Sequence, residues 1–294
     1  MCGIVGLHCK SPDLHSQLGA LLSQMLLAMS ERGPDSAGIA LYEEGLPTGS
    51  LRYSLRAPGP GYDWEGTSER LGEEAVIRPV ADDAVLTATG SPAAVLEKLA
   101  AQAPDLRVFA YGSAIEVYKD IGAPVDILER YGITQRSGYQ GLGHTRMATE
   151  SAVTTDHSHP FATAADLCLV HNGSFSNHAT IRRRLEDAGV RCSTDNDSEV
   201  AARFIAYHMQ HGDDLQAALG KVLTEFDGFF TLLVASRNQF AVVRDAFACK
   251  PAVIAEAPDF VAMASEYRAL ARLPGIQEAA IFEPGPEEIH VWSR

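Results

Sequence analysis

The sequence predicts an α+β fold in which two sheets pack between layers of helices. Three observations point there. Short apolar, β-branched runs separated by turn residues fill the last third, at 228–236, 239–244, 251–256 and 260–265. Amphipathic helical patterns lie before them: Leu14, Leu18, Leu21, Leu22, Met25, Leu26 and Met29 make one apolar stripe over 13–30, and STDNDSEVAARFIAYHM opens a capped helix near Asp197. The chain has 294 residues, 46% of them hydrophobic, enough to bury a substantial core.

The elements follow in order. Residues 2–9 read as a buried strand. Ser11-Pro12 places a capping hydroxyl before a proline at the first helical position. Gly33-Pro34 ends that helix, and 37–42 is a second strand. Residues 43–74 are rich in glycine, proline and charge and read as loop with at most short structure. Strands are expected near 75–80 and 84–89, a helix from Ser91-Pro92 to about Gln102, one or two strands over 106–118, and a short helix from Pro124 to Tyr131. The stretch from about 43 to 140 reads as an αβ insertion in a single domain spanning 1–294. Leu167–Val170 is a strand running into a tight polar turn. Asn177 caps a helix to about Ala188, with Gly189 as its stop. A helix over 213–226 precedes the strand-rich end, which closes with a short helix over 265–273 and strands near 279–282 and 288–292.

Composition excludes some classes. A net charge of −14, from 24 basic and 38 acidic residues, disfavours nucleic acid, whose phosphates need a basic face. No apolar run approaches the roughly 18–20 residues of a membrane span, and the opening lacks the basic region of a signal peptide. The five cysteines are scattered with no C-x-x-C pair, which fits free thiols in a reducing, cytoplasmic setting.

The chemistry is suggested first by Cys2. Removal of Met1 gives one residue both a thiol and a free α-amine. Thiolates are acyl nucleophiles, and an α-amine titrating at about 7.7–8.0 can take the proton of a thiol titrating near 8.5. Four other polar clusters sit beside strands: Glu31–Ser36, Gly143–Arg146, His171–Gly173 and Asn196–Glu199. Each has a structural reading. Arg32 can cap a helix end, Arg146 can be an ion-pair partner, Asn172-Gly173 can be a turn, and Asp197 can be an N-cap.

Taken in order, MCGI, ERGPDSAG, GHTRMAT, HNGSFSNH, NDSE, RDAFACKP and MASE resemble the class II glutamine amidotransferases, which are N-terminal nucleophile hydrolases. The resemblance spans nearly the whole chain. It implies a four-layer αββα sandwich of two antiparallel sheets between helix layers. It also implies roles: Cys2 as nucleophile with its α-amine as base, Asn172 and the Gly173 N–H as oxyanion hole, Arg146 on the glutamine α-carboxylate and Asp197 on its α-ammonium. Arg32 corresponds to a structural arginine near the nucleophile, and Thr149 and His159 to the lining of the glutamine pocket. The sequence departs from the family at Met147, where many relatives carry an aromatic residue, and at Glu150-Ser151.

The implied reaction converts glutamine to glutamate and ammonia through a thioester on Cys2, with no cofactor and no metal in this chain. His157 and His159 have an H-x-H spacing that can bind metal, but His159-Pro160 matches the family's pocket loop. No P-loop or dinucleotide fingerprint follows. The expected partners are therefore glutamine and separate synthase subunits, as for the stand-alone amidotransferase subunits of glutamate-synthase-like systems. Two rival readings are an amidohydrolase acting on another amide and a non-catalytic, glutamine-sensing subunit.

Overall fold

The strand that begins beside the expected nucleophile lies in the middle of the largest sheet. In the computed structural model, which describes residues 2–147 and 153–294, this strand is β1 (Gly3–Cys9), and every residue of it is buried. It is followed by α1 (Leu18–Leu27) and β2 (Ser36–Tyr42). Then come β3 (Ser50–Arg56), α2 (Trp64–Leu71), β4 (Ala75–Val80), β5 (Asp83–Thr89), α3 (Pro92–Gln102) and β6 (Arg107–Gly112). The chain returns through β7 (Ile115–Ile121), α4 (Pro124–Arg130) and β8 (Gln140–Arg146). Next are β9 (Phe161–Ala164), β10 (Leu167–Phe175), α5 (His178–Asp187), α6 (Asp197–Gln210) and α7 (Leu215–Glu225). It ends with β11 (Gly228–Ala235), β12 (Gln239–Arg244), β13 (Val253–Glu256), β14 (Phe260–Ala264), α8 (Tyr267–Leu270), β15 (Ala280–Phe282) and β16 (Ile289–Ser293).

Three antiparallel sheets result. The first has the order β15-β13-β14-β1-β8-β2-β7, the second β16-β12-β11-β10-β9, and the third β4-β5-β3-β6. Strand alternation sorts the side chains of the first two into layers. Val5, Leu7 and Cys9 of β1 join Leu18, Leu22, Met25 and Leu26 of α1 in a core on the helix side. Ile4 of β1, Leu142 of β8 and Cys168 and Val170 of β10 form the core between the sheets. Leu167, Leu169 and Phe175 of β10 face α5, α6 and α7 in a third core. The order is helix, sheet, sheet, helix, as the family resemblance implies. The sheets approach closely at Gly6, where a Cβ would sit 2.5 Å from a methyl of Leu233.

The segment from 43 to 140 has two parts. Residues 50–112 build the third sheet, whose own core contains Tyr53, Leu55, Leu71, Leu86 and Leu99. Residues 115–121 instead pair with β2 as the edge of the first sheet. The expectation of loop over 43–74 is corrected: β3 and α2 occupy it. In Ser50–Arg56, Leu51, Tyr53 and Leu55 alternate with polar residues, and Asp63 caps α2 through Gly66 N–H at 2.9 Å. The first helix is also shorter than its apolar stripe, because Pro12–Gln17 is a 3-10 turn and α1 starts at Leu18. Asn177 precedes α5 but does not cap it through its side chain. Its amide instead ties to Glu225 O (2.8 Å) and Asp227 N–H (3.0 Å).

Asp166 locks the third sheet's exit to the second sheet. Its buried carboxylate accepts from the N–H groups of Ser113 (2.9 Å), Ala114 (2.8 Å) and Ile115 (3.0 Å) and from the Ser113 hydroxyl (3.0 Å). Asp166→Ala orphans three buried backbone donors and is expected to cost about 2–4 kcal/mol, read as a lower urea midpoint at unchanged slope.

Candidate active site

Cys2 stands at the mouth of β1. β1 pairs with β8 up to Gly3↔Thr145, one residue short of Cys2 on one side and of Arg146 on the other. Its Sγ lies 4.0 Å from Met147 O. Cys2 immediately precedes β1, whose Ile4 lies in the core between the sheets. Its carbonyl accepts from Arg32 Nε at 3.1 Å, and Arg32 in turn meets Glu266 at 2.7 Å. Glu266 also holds Arg268 (2.7 Å), which reaches Glu31 (3.1 Å). Arg32 therefore grips the backbone of residue 2 and not its thiol, and the carboxylate orienting it comes from beside β14, where Ser265 Oγ accepts from Ile4 N–H at 3.0 Å. Glu266→Gln removes that charge while keeping its shape. It is expected to lower turnover several-fold with small loss of stability, measured as kcat beside a denaturant curve.

Arg146 ends β8 and is 5% exposed. Two residues earlier, His144 Nε2 meets His171 O at 3.2 Å, which ties the ends of β8 and β10 together. Asn172 follows on β10 and is 3% exposed. It shares a strand face with Val170 and Cys168, whose side chains lie in the core between the sheets. Its Nδ2 finds no partner among the described residues. A buried amide without a partner is uncommon and costs on the order of 1–3 kcal/mol, so such a donor points to an absent acceptor. Gly173 is exposed, with φ +149°, and a Cβ there would meet Phe229 O at 2.1 Å. Glycine at that position keeps the backbone open beside the Asn172 amide.

Asp197 is the first residue of α6. The cap is Asn196, whose side chain accepts from Ser198 N–H at 2.8 Å, so the Asp197 carboxylate is left to other contacts. One oxygen accepts from Phe175 N–H (3.0 Å) and the other from Ser198 Oγ (3.1 Å). Ser198 Oγ also lies 2.9 Å from His159 Nε2 and 2.8 Å from His171 Nδ1. A hydroxyl has one proton and two lone pairs. Donation to Asp197 therefore assigns the Nε2–H tautomer to His159 and the Nδ1–H tautomer to His171. His159 stacks on His144 with centroids 4.0 Å apart.

All three rings are held neutral. Burial pushes the His144 pKa down to about 3 and His159 well below the ordinary imidazole value. Burial also lowers His171, and outweighs the pull of Asp197 in the other direction. Below about pH 6.5 the unfolded chain takes up protons at these residues that the folded chain refuses. Stability is therefore full above that pH and is lost as pH falls toward the folded-state values. Equilibrium unfolding at pH 7.5 and 5.5 is expected to show the lower midpoint at pH 5.5.

Thr149 lies outside the described residues. His157 parts from His159: its Nδ1 meets Thr154 at 2.6 Å and its Nε2 meets Asp195 at 2.5 Å, while His159 turns inward to Ser198. Cys2 precedes β1, Arg146 ends the neighbouring β8, His144 ties β8 to β10 at the residue before Asn172, and Asp197 attaches to β10 through Phe175 N–H. Sequence reasoning missed the roles of Ser198, His144, His171 and Glu266. All four stand within the quoted motifs, but nothing in their local spacing shows that they meet.

Comparison with known proteins fits this geometry. A family model described as a glutamine amidotransferase domain matches residues 144–272. The glutamine amidotransferase-like protein GlxB of Rhizobium meliloti (strain 1021) is 46% identical over 99% of this chain and 98% of its own length. The glutamine–fructose-6-phosphate aminotransferase (isomerizing) of Mycobacterium bovis (strain ATCC BAA-935 / AF2122/97) is 43% identical over 36% of this chain and 18% of its own. Among solved structures, the glutamine phosphoribosylpyrophosphate amidotransferase of B. subtilis superposes with a TM-score of 0.64, over 99% of this chain and 47% of that one. At 17% identity this last likeness speaks for the fold alone. A relative 46% identical from end to end decides the family: the chain belongs to the glutamine amidotransferases, as an enzyme with a glutamine-hydrolysing domain.

Proposed function

We propose that the chain hydrolyses glutamine at Cys2 and passes the ammonia to a synthase carried on a separate polypeptide. The observation that carries the catalytic half is the buried Asn172 Nδ2, without a partner among the described residues, on the β10 face that packs toward the sheet whose β1 follows Cys2. After loss of Met1, the α-amine takes the thiol proton and the sulfur attacks the side-chain carboxamide carbon. The negative charge forms on the carbonyl oxygen, where Asn172 Nδ2 and Gly173 N–H donate to it. Collapse breaks the C–N bond. Ammonia leaves with the proton held by the amine, and a γ-glutamyl thioester remains on Cys2. Water then gives its proton to the same amine, attacks the thioester, and releases glutamate and the thiol. Arg146 and Asp197 bind opposite charges of the amino acid, fixing the distance from its α-carbon to the sulfur. No cofactor or metal enters these steps. Retention of Met1 in the active protein, read by intact mass, would overturn the scheme.

The acceptor half is supported by proportion. The matched regions are 18% of the M. bovis enzyme and 47% of the B. subtilis one. The names of both carry a second substrate, whereas GlxB, whose name carries none, is matched over 98% of its own length. The motif resemblance favours a glutamate-synthase type of complex, with the stand-alone amidotransferase component of N-methylglutamate synthase as the specific reading. On this reading the isolated chain has weak glutaminase activity that rises severalfold on adding its synthase subunits. Co-purification from the native host identifies them. Equal activity with and without those subunits would count against the assignment.

A further inference from the structure

Outside the glutamine site, the edges of all three sheets meet around one cavity. β7 is the edge of the first sheet, β9 of the second and β6 of the third, and β6 packs on both of the others. The cavity between them measures 290 Å³. Lys119 of β7 lines it and is 4% exposed. Its Nζ donates to Ser158 O at 2.8 Å and Pro160 O at 3.5 Å, and lies over the rings of Phe109 (4.7 Å) and Phe161 (4.9 Å).

No carboxylate pairs with this ammonium among the described residues, although a buried charge is costly without a partner. Burial lowers its pKa to about 8, against the smaller pull of Asp156 and Glu199 in the other direction. Glu199 borders the cavity, but its oxygens already accept from Ser193 N–H, Thr194 N–H, Thr194 Oγ1 and Arg203 Nε, all at 2.6–2.7 Å. That leaves Lys119 and Arg107 against Asp156 on the cavity wall. The Thr163 hydroxyl on the same wall is buried and without a partner among the described residues.

We propose that this cavity binds a small carboxylate or phosphate anion, held by Lys119 Nζ and the Thr163 hydroxyl, and that its occupancy strengthens glutamine binding. The anion accepts from the ammonium N–H that Ser158 and Pro160 leave over. Lys119 is then fixed on the two carbonyls that bracket His159, and His159 fixes Ser198 and through it Asp197. The coupling rests on the glutamine reading of Asp197, whereas anion binding does not.

The test is calorimetry of the full chain, without glutamine, titrated separately with inorganic phosphate and with succinate. Saturable one-site binding of either is expected, and which one binds names the anionic group. Lys119→Met abolishes it. Thr163→Val weakens it severalfold while leaving the anion-free glutaminase rate unchanged, which guards against a Lys119 variant that merely misfolds. With the anion present, the glutamine KM falls by about fivefold or more at constant kcat. Failure of both probes to bind, or equal binding by wild type and both variants, overturns the site. Binding without a change in KM overturns the coupling.

Discussion

Replacing Cys2 by alanine abolishes glutamine hydrolysis, with kcat falling by on the order of 10⁴-fold or more, as for loss of other covalent nucleophiles. The side chain is half-buried at the mouth of a central strand, and its sulfur makes one long contact, to Met147 O, among the described residues. Its backbone carbonyl, held by Arg32, is untouched by the substitution. The fold should therefore persist, so a near-wild-type unfolding midpoint must accompany the lost activity. Cys2→Ser is the sharper control. Serine keeps the shape but is far harder to deprotonate, and the α-amine is matched to a thiol. A Cys2→Ala protein that still turns glutamine over would remove the basis of the reaction scheme.

Asn172→Ala is expected to lower kcat by about 10²–10³-fold, the usual cost of one oxyanion donor, with KM nearly unchanged. The split follows from when the contact forms. The Nδ2 group meets charge that exists in the tetrahedral intermediate and is slight on the bound carboxamide. Because Nδ2 has no partner to lose among the described residues, the variant should be as stable as wild type or more so. Pre-steady-state measurement of ammonia release would locate the defect in acylation. A KM effect without a kcat effect would instead make Asn172 a binding residue.

The sequence made one part of this site readable and concealed another. Cys2, Asn172-Gly173 and Asp197 stood out as polar residues beside strands or at a helix start, and the resemblance of the ordered motifs, not that local pattern, supplied their expected roles. The strands of the last third were readable for the same reason: alternation and turn residues are local signals. The histidine–serine network was not readable. His159 and His171 lie 39 and 27 residues from Ser198, and only the packing of α6 on the second sheet joins them. Glu266 lies 234 residues from Arg32. β3 and α2 were hidden differently, by glycines and prolines in the flanking loops that diluted a short alternating run.

The position of β1 has a consequence for biosynthesis. It pairs on one side with β8 and on the other with β14, so its neighbours emerge from the ribosome some 140 and 260 residues after it. β1 must then wait for β8 on one side and for β14 on the other. Folding around the residue before β1 is therefore a late event: the strand gains its second partner only when β14 is available.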